Sequence, residues 1–156
     1  MEESLRRAVE ELKREEHLVF VSLKYTRTVD VLKNILERMI NSYSFAFNAL
    51  LLYAKEQKLI TDYPENKALR CNILKEIFPD EKNLHAYIDY YLKLRKIMRA
   101  EYRKREEYRR HVTMTVVVDG ETIEVTMDSV KEDYEKLKDF IKYVRDFIFG
   151  KQEEEY

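Results

Sequence analysis

Apolar residues recur along most of this chain at the three- and four-residue intervals of an amphipathic helix. Leu5, Ala8, Val9 and Leu12 stand among charged neighbours and predict a first helix over residues 2–16. A longer stripe runs through Val31, Leu32, Ile35, Leu36 and Met39 and is prolonged by Tyr43, Phe47, Leu50 and Tyr53, with Thr28 placed to cap its start. Asn41 and Ser42 are weak helix formers inside that stripe, so it is one long helix or two joined at residues 41–44. The uninterrupted period favours one.

Asp62-Tyr63-Pro64 ends this region, since proline suits the first turn of a new helix and pushes the residue before it out of helical geometry. A short helix over residues 65–77 is built on Ala68, Leu69, Ile73, Leu74 and Ile77. After the break at Phe78-Pro79, Asp80 can cap a long helix whose apolar positions Leu84, Tyr87, Ile88, Tyr91, Leu94 and Met98 face the core. The charged run that follows reads as its continuation, one helix through residues 87–111.

The period then changes to two. Residues 112–127 alternate around Asp119-Gly120, the dipeptide best suited to a type I′ turn, and predict a β-hairpin. A two-residue turn sets Val118 opposite Glu121, Val116 opposite Ile123, Met114 opposite Val125 and Val112 opposite Met127 on one face. Thr113, Thr115, Thr122, Glu124 and Thr126 line the other. An isolated hairpin is marginal in water, so this one lies against the helices or a second subunit, and Val116-Val117-Val118 is an edge that needs covering. Ser129 and Glu132 form a capping box for a last helix, which carries Val130, Tyr134, Leu137, Ile141, Val144 and Ile148 and stops at Gly150. The expected fold is mainly α: a four- to five-helix up-down bundle with one β-hairpin inserted before the last helix. A single domain is expected over residues 1–156, with the bundle at 28–149 and a short acidic tail at 151–156.

Composition agrees with long helices. Only two glycines and two prolines occur, and 38% of residues are charged. Twelve tyrosines, seven phenylalanines and no tryptophan, with heavy Glu, Lys and Arg usage, fit a thermophile's composition. Cys71 is the only cysteine, which excludes an internal disulfide and a thiolate metal cluster and points to a reducing, cytoplasmic setting. The N-terminus leads into charged helix rather than an apolar signal core, and the most apolar early run, residues 18–23, is too short for a bilayer. No membrane association is expected.

The formal net charge is only −1, yet the arginines are gathered. Arg95, Arg99, Arg103, Arg109 and Arg110, with Tyr102 and Tyr108 among them, make a surface where phosphate, RNA or an acidic partner would bind. The competing reading is a solvated helix face on which Arg103, Lys104, Arg105 and Arg109 pair with Glu101, Glu106 and Glu107. A positive surplus survives that pairing. Tyrosines can stack on unpaired bases, although on helices they more often serve a core or an interface.

Two stretches, residues 41–51 (NSYSFAFNALL) and 92–102 (LKLRKIMRAEY), resemble the helices of the HEPN superfamily of helical-bundle proteins. With the last helix, the resemblance covers residues 28–149. It implies a helical bundle and an association with RNA cleavage or with a nucleotidyltransferase-type protein partner; a homodimer is expected on the separate ground that ribbons or helices paired across a two-fold axis would bury the valine edge. Catalytically active members use an arginine followed after four to six residues by a histidine. Counting from Arg95 leads to Ala100, Glu101 and Tyr102, whereas Arg105 is followed by His111 after five intervening residues. In such a site the histidine would act as general acid or base and the arginine would stabilise charge on phosphate. Arg105 and His111 are therefore the catalytic candidates, for a ribonuclease that needs no metal.

Other chemistry is sparse. There is no glycine-rich phosphate loop, no Gly-x-Ser-x-Gly elbow and no zinc motif, and no cofactor is expected. His85 and Asp89 are the only helical pair able to share a metal, and they read as a hydrogen-bonded surface pair. Three functions are open: binding of RNA or an acidic partner by a dimer, a protein interaction module whose arginines serve ion pairs, and the ribonuclease.

Overall fold

The computed structural model describes residues 1–17, 21 and 25–150. Most of the apolar run 18–23 and all of the acidic tail lie outside the described residues. Within them are five helices: α1 Glu2–His17, α2 Val29–Glu56, α3 Lys67–Ile77, α4 Lys82–Arg99 and α5 Met127–Phe149. Between α4 and α5 is a three-stranded antiparallel sheet of β1 Tyr102–Arg105, β2 Thr113–Val118 and β3 Glu121–Thr126, in the order β1-β2-β3. The fold is mainly α, with the sheet inserted before the final helix. No described helix is long and apolar enough to cross a membrane.

The long apolar stripe is one helix, α2, capped by Thr28, whose hydroxyl accepts from the Val31 amide at 3.3 Å. Asn41 and Ser42 do not break it, because buried Ser42 donates to the Ala8 carbonyl of α1 at 2.8 Å and its hydroxyl is thereby satisfied. α1 packs along α2 with Leu5 and Ala8 buried, and α5 packs on α2 from another side. The centre is aromatic. Tyr43, fully buried, has the rings of Phe140, Phe47, Tyr91 and Tyr90 at 5.0 to 6.2 Å.

The hairpin register is the expected one from Val118↔Glu121 to Met114↔Val125. Asp119 and Gly120 both adopt positive φ, +52° and +78°, as a type I′ turn requires. Val112, Met114, Val116, Val118 and Val125 join the core beneath the helices. Pairing ends at Thr113↔Thr126, so Val112 and Met127 are not partners; Met127 already begins α5. Thr113 is buried rather than wet, its hydroxyl donating to the His111 carbonyl.

The largest correction concerns residues 87–111, which are not one helix. α4 ends at Arg99, Ala100 is extended (φ −74°, ψ 149°), and residues 102–105 form β1 against β2. Beyond Met98 no apolar residues recur at helical spacing, so helical geometry there would bury nothing. As a strand, the same segment pairs the exposed edge of valine-rich β2, which outweighs the helix propensity of its charged residues. β2 is therefore central.

Caps differ in three places. Thr126, not Ser129, is the N-cap of α5; Ser129 is its reciprocal partner in the capping box, in place of Glu132. α3 starts at Lys67, capped by Asn66, and Pro64 precedes it. The N-cap of α4 is Glu81 rather than Asp80, and its carboxylate is taken by the Tyr143 hydroxyl at 2.8 Å instead of a helix amide.

One contact between helices titrates. Tyr90 of α4 donates to Asp133 of α5, and burial pushes the Asp133 carboxyl up from 3.8 to about 6, against the pull of Lys136. Because the folded carboxyl holds its proton more tightly than the unfolded one, its contribution to stability is full below about pH 4. That contribution is lost as pH rises through about 6. Urea unfolding should show stability declining across this window, with a slope of at most about 1.4 kcal/mol per pH unit from this group. Asp133→Asn should flatten the decline, and an equal slope in that variant would reject the assignment.

Candidate nucleic-acid interface

Alternation along β1 divides the basic residues. Tyr102 and Lys104 pair with Val116 and Met114, whose side chains are buried, while Arg103 and Arg105 pair with Thr115 and Thr113 and lie on the other face. Tyr102 is packed against the core with the Lys33 ammonium 4.5 Å from its ring centroid, so it does not present a free face to a base. Arg105 reaches across the sheet to Glu124 at 3.2 Å.

The turn at residues 106–112 follows, and it is tied down. The Tyr108 amide donates to the Arg27 carbonyl at 2.6 Å, and the Glu107 carboxylate accepts from the Val29 amide, the first of α2, at 3.2 Å. A carboxylate at that position satisfies an amide the helix cannot and complements the helix dipole. Glu106 and Tyr108 adopt positive φ, +54° and +66°, which the tight reversal imposes. Tyr108 stands 78% exposed, with exposed Arg109 and Arg110 after it.

Ion pairing takes a minority of these charges. Lys104 meets Glu107 at 3.5 Å and Arg105 meets Glu124, whereas Arg103, Arg109 and Arg110 have no ion pair among the described residues. Of the pairs a helix would set between these cations and Glu101, Glu106 and Glu107, only Lys104–Glu107 forms among the described residues, because the segment is strand and turn.

A cleft of about 600 Å3 opens where this turn meets β3 and the start of α5. Arg105 and His111 both line it, with Arg110 from the turn and Lys131 from α5, and Glu106, Glu124 and Asp128 balance the three cations there. The surplus charge therefore lies beside the cleft, at Arg103 and Arg109, rather than in it. Lys131 has no motif in the sequence; its place depends on the chain returning from β3 into α5.

Arg95 and Arg99 belong to α4 rather than to the strand or turn. Arg95 lies over the Tyr91 ring at 5.7 Å and its charge partly offsets the burial that pushes the Cys71 thiol up to about 11. Cys71 is buried and held as the thiol. His85 and Asp89 do not pair: His85 Nε2 bonds the Phe78 carbonyl at 2.8 Å, and Asp89 takes Lys75. The described residues contain no cluster of three or more potential metal ligands.

No family model, curated protein or solved structure matches this chain. The residues themselves carry the functional reading.

Proposed function

We propose that this chain is a HEPN-like helical-bundle protein that forms a homodimer and binds RNA, or an acidic partner, through β1 and the turn at 106–112. The observation that carries the reading is the exposed, fixed turn: Arg103, Arg109 and Arg110 without carboxylate partners among the described residues, around an exposed Tyr108. Guanidinium groups suit phosphate oxygens, and an exposed aromatic ring suits an unpaired base. The HEPN-like part is supported by the packing of α2 against α4, the helices that carry the two stretches of resemblance; Ser44 and Tyr91 share a hydrogen bond of 2.8 Å there. β3 is an edge strand, which gives a second copy a place to pair.

Fluorescence anisotropy with a labelled single-stranded RNA tests the reading. Affinity should fall steeply as salt rises, and absence of binding at low salt would sink it.

One observation favours a second reading, metal-independent RNA cleavage. Arg105 and His111, singled out by their spacing, line the same cleft. Any cleavage measured in the presence of a chelator should vanish in His111→Ala, and activity surviving that change removes the reading.

A further inference from the structure

A second cleft, of about 620 Å3, opens between α1 and α2 and shares no residue with the arginine strand or turn. The two helices run antiparallel: Asn48 donates to Ser4 at 2.8 Å, Ser42 to Ala8 at 2.8 Å, and Arg38 lies 3.5 Å from Glu11. Past that point the facing residues become long and polar. Lys13, Arg14 and His17 line the cleft from α1; Asn34, Arg38 and Asn41 line it from α2, with Glu37 the one carboxylate among the described lining residues.

Beside the cleft, Glu11 is buried; its Oε1 accepts a hydrogen bond from Arg14 Nη1 at 2.8 Å, while its Oε2 lies at ion-pair distance, 3.5 Å, from Arg38 Nη1 and has no hydrogen-bond partner among the described residues. One carboxylate thus hydrogen-bonds the guanidinium of one helix and attracts that of the other, through a single nitrogen of each. Their remaining N–H donors are left for another acceptor.

Cations in the last turn of α1 complement its dipole, which accounts for Arg14 and His17 but not for Arg38. Nor does it explain two asparagines inside a helix, where each costs about 0.6 kcal/mol relative to alanine. Asn48, seven residues after Asn41, has both ends of its amide bonded, to Ser4 and Tyr63. Neither the Asn34 nor the Asn41 side chain has a hydrogen bond among the described residues.

We propose that this cleft binds a small phosphate-bearing ligand, with Arg14 and Arg38 as forks on its phosphate oxygens. Lys13 adds charge, and the amide N–H groups of Asn34 and Asn41 complete the shell. Arginine forks match phosphate oxygens in bidentate geometry, and the volume is in the range of small-molecule sites.

Inorganic pyrophosphate is the probe, titrated calorimetrically into the full chain. Saturable one-to-one binding is expected, weakened by salt and reduced about tenfold or more in Arg38→Gln, the equivalent of one charge-assisted hydrogen bond. Arg110→Gln, at the other cleft, should leave it within about twofold. The double variant Asn34→Ala, Asn41→Ala should bind several-fold more weakly while its melting temperature holds or rises, because alanine is the better helix former. That variant carries the test if Arg38→Gln fails to fold. No saturation at millimolar pyrophosphate, undiminished binding in Arg38→Gln or in the asparagine variant, or equal loss in Arg110→Gln would each overturn the proposal.

Discussion

Tyr43→Ala is expected to lower the free energy of unfolding by about 3–5 kcal/mol, measured by guanidinium titration followed by circular dichroism. Tyr43 is fully buried at the meeting of α2, α4 and α5, and four aromatic rings lie around it, the nearest that of Phe140 at 5.0 Å. Truncation removes apolar burial, the ring contacts, and the support of rings too rigid to collapse into the void. A domain of this size is stable by only about 5–15 kcal/mol, so the loss would be a large share of the whole. Tyr43→Phe keeps the ring and should lose no more than about 1.5 kcal/mol, which separates the hydroxyl from the packing. A loss below about 1 kcal/mol in the alanine variant would contradict the aromatic centre.

The second large effect concerns binding. Replacing Arg103, Arg109 and Arg110 together by glutamine should weaken single-stranded RNA at low salt by roughly 100-fold, at about 1 kcal/mol for each exposed guanidinium on phosphate. Removal of each such cation should also flatten the plot of log affinity against log salt by about 0.7. Stability should hardly change, because none of the three has an ion pair among the described residues. Unaltered binding would remove the turn as the interface. The change does not touch Arg14 or Arg38, so pyrophosphate binding in the same variant separates the two clefts.

Much of the fold is legible in the sequence because its signals are local and agree with one another. The stripe through Val31, Ile35, Met39 and Tyr43 has one period along its length, and Asp119-Gly120 fixes a hairpin register that can be counted out pair by pair. β1 is not legible. Four residues, Tyr-Arg-Lys-Arg, show no alternation of apolar and polar, and what makes them a strand is the open edge of β2, which the sequence places more than seven residues away. The same reason governs the interface. The spacing of Arg105 and His111 can be read, but Lys131 in their cleft and the anchoring of Tyr108 to Arg27 depend on segments brought together only by folding. Tyr102, a stacking candidate on a helix, turns inward on a strand.

The bond from the Val29 amide to Glu107 spans 78 residues of sequence. Contacts of such separation close large loops and gain less from local chain order than helices do, so the anchoring of the arginine turn is expected to be completed late in folding. A partly folded chain would keep most of its helix and yet lack the ordered turn, which makes the binding surface a more sensitive gauge of complete folding than helical content.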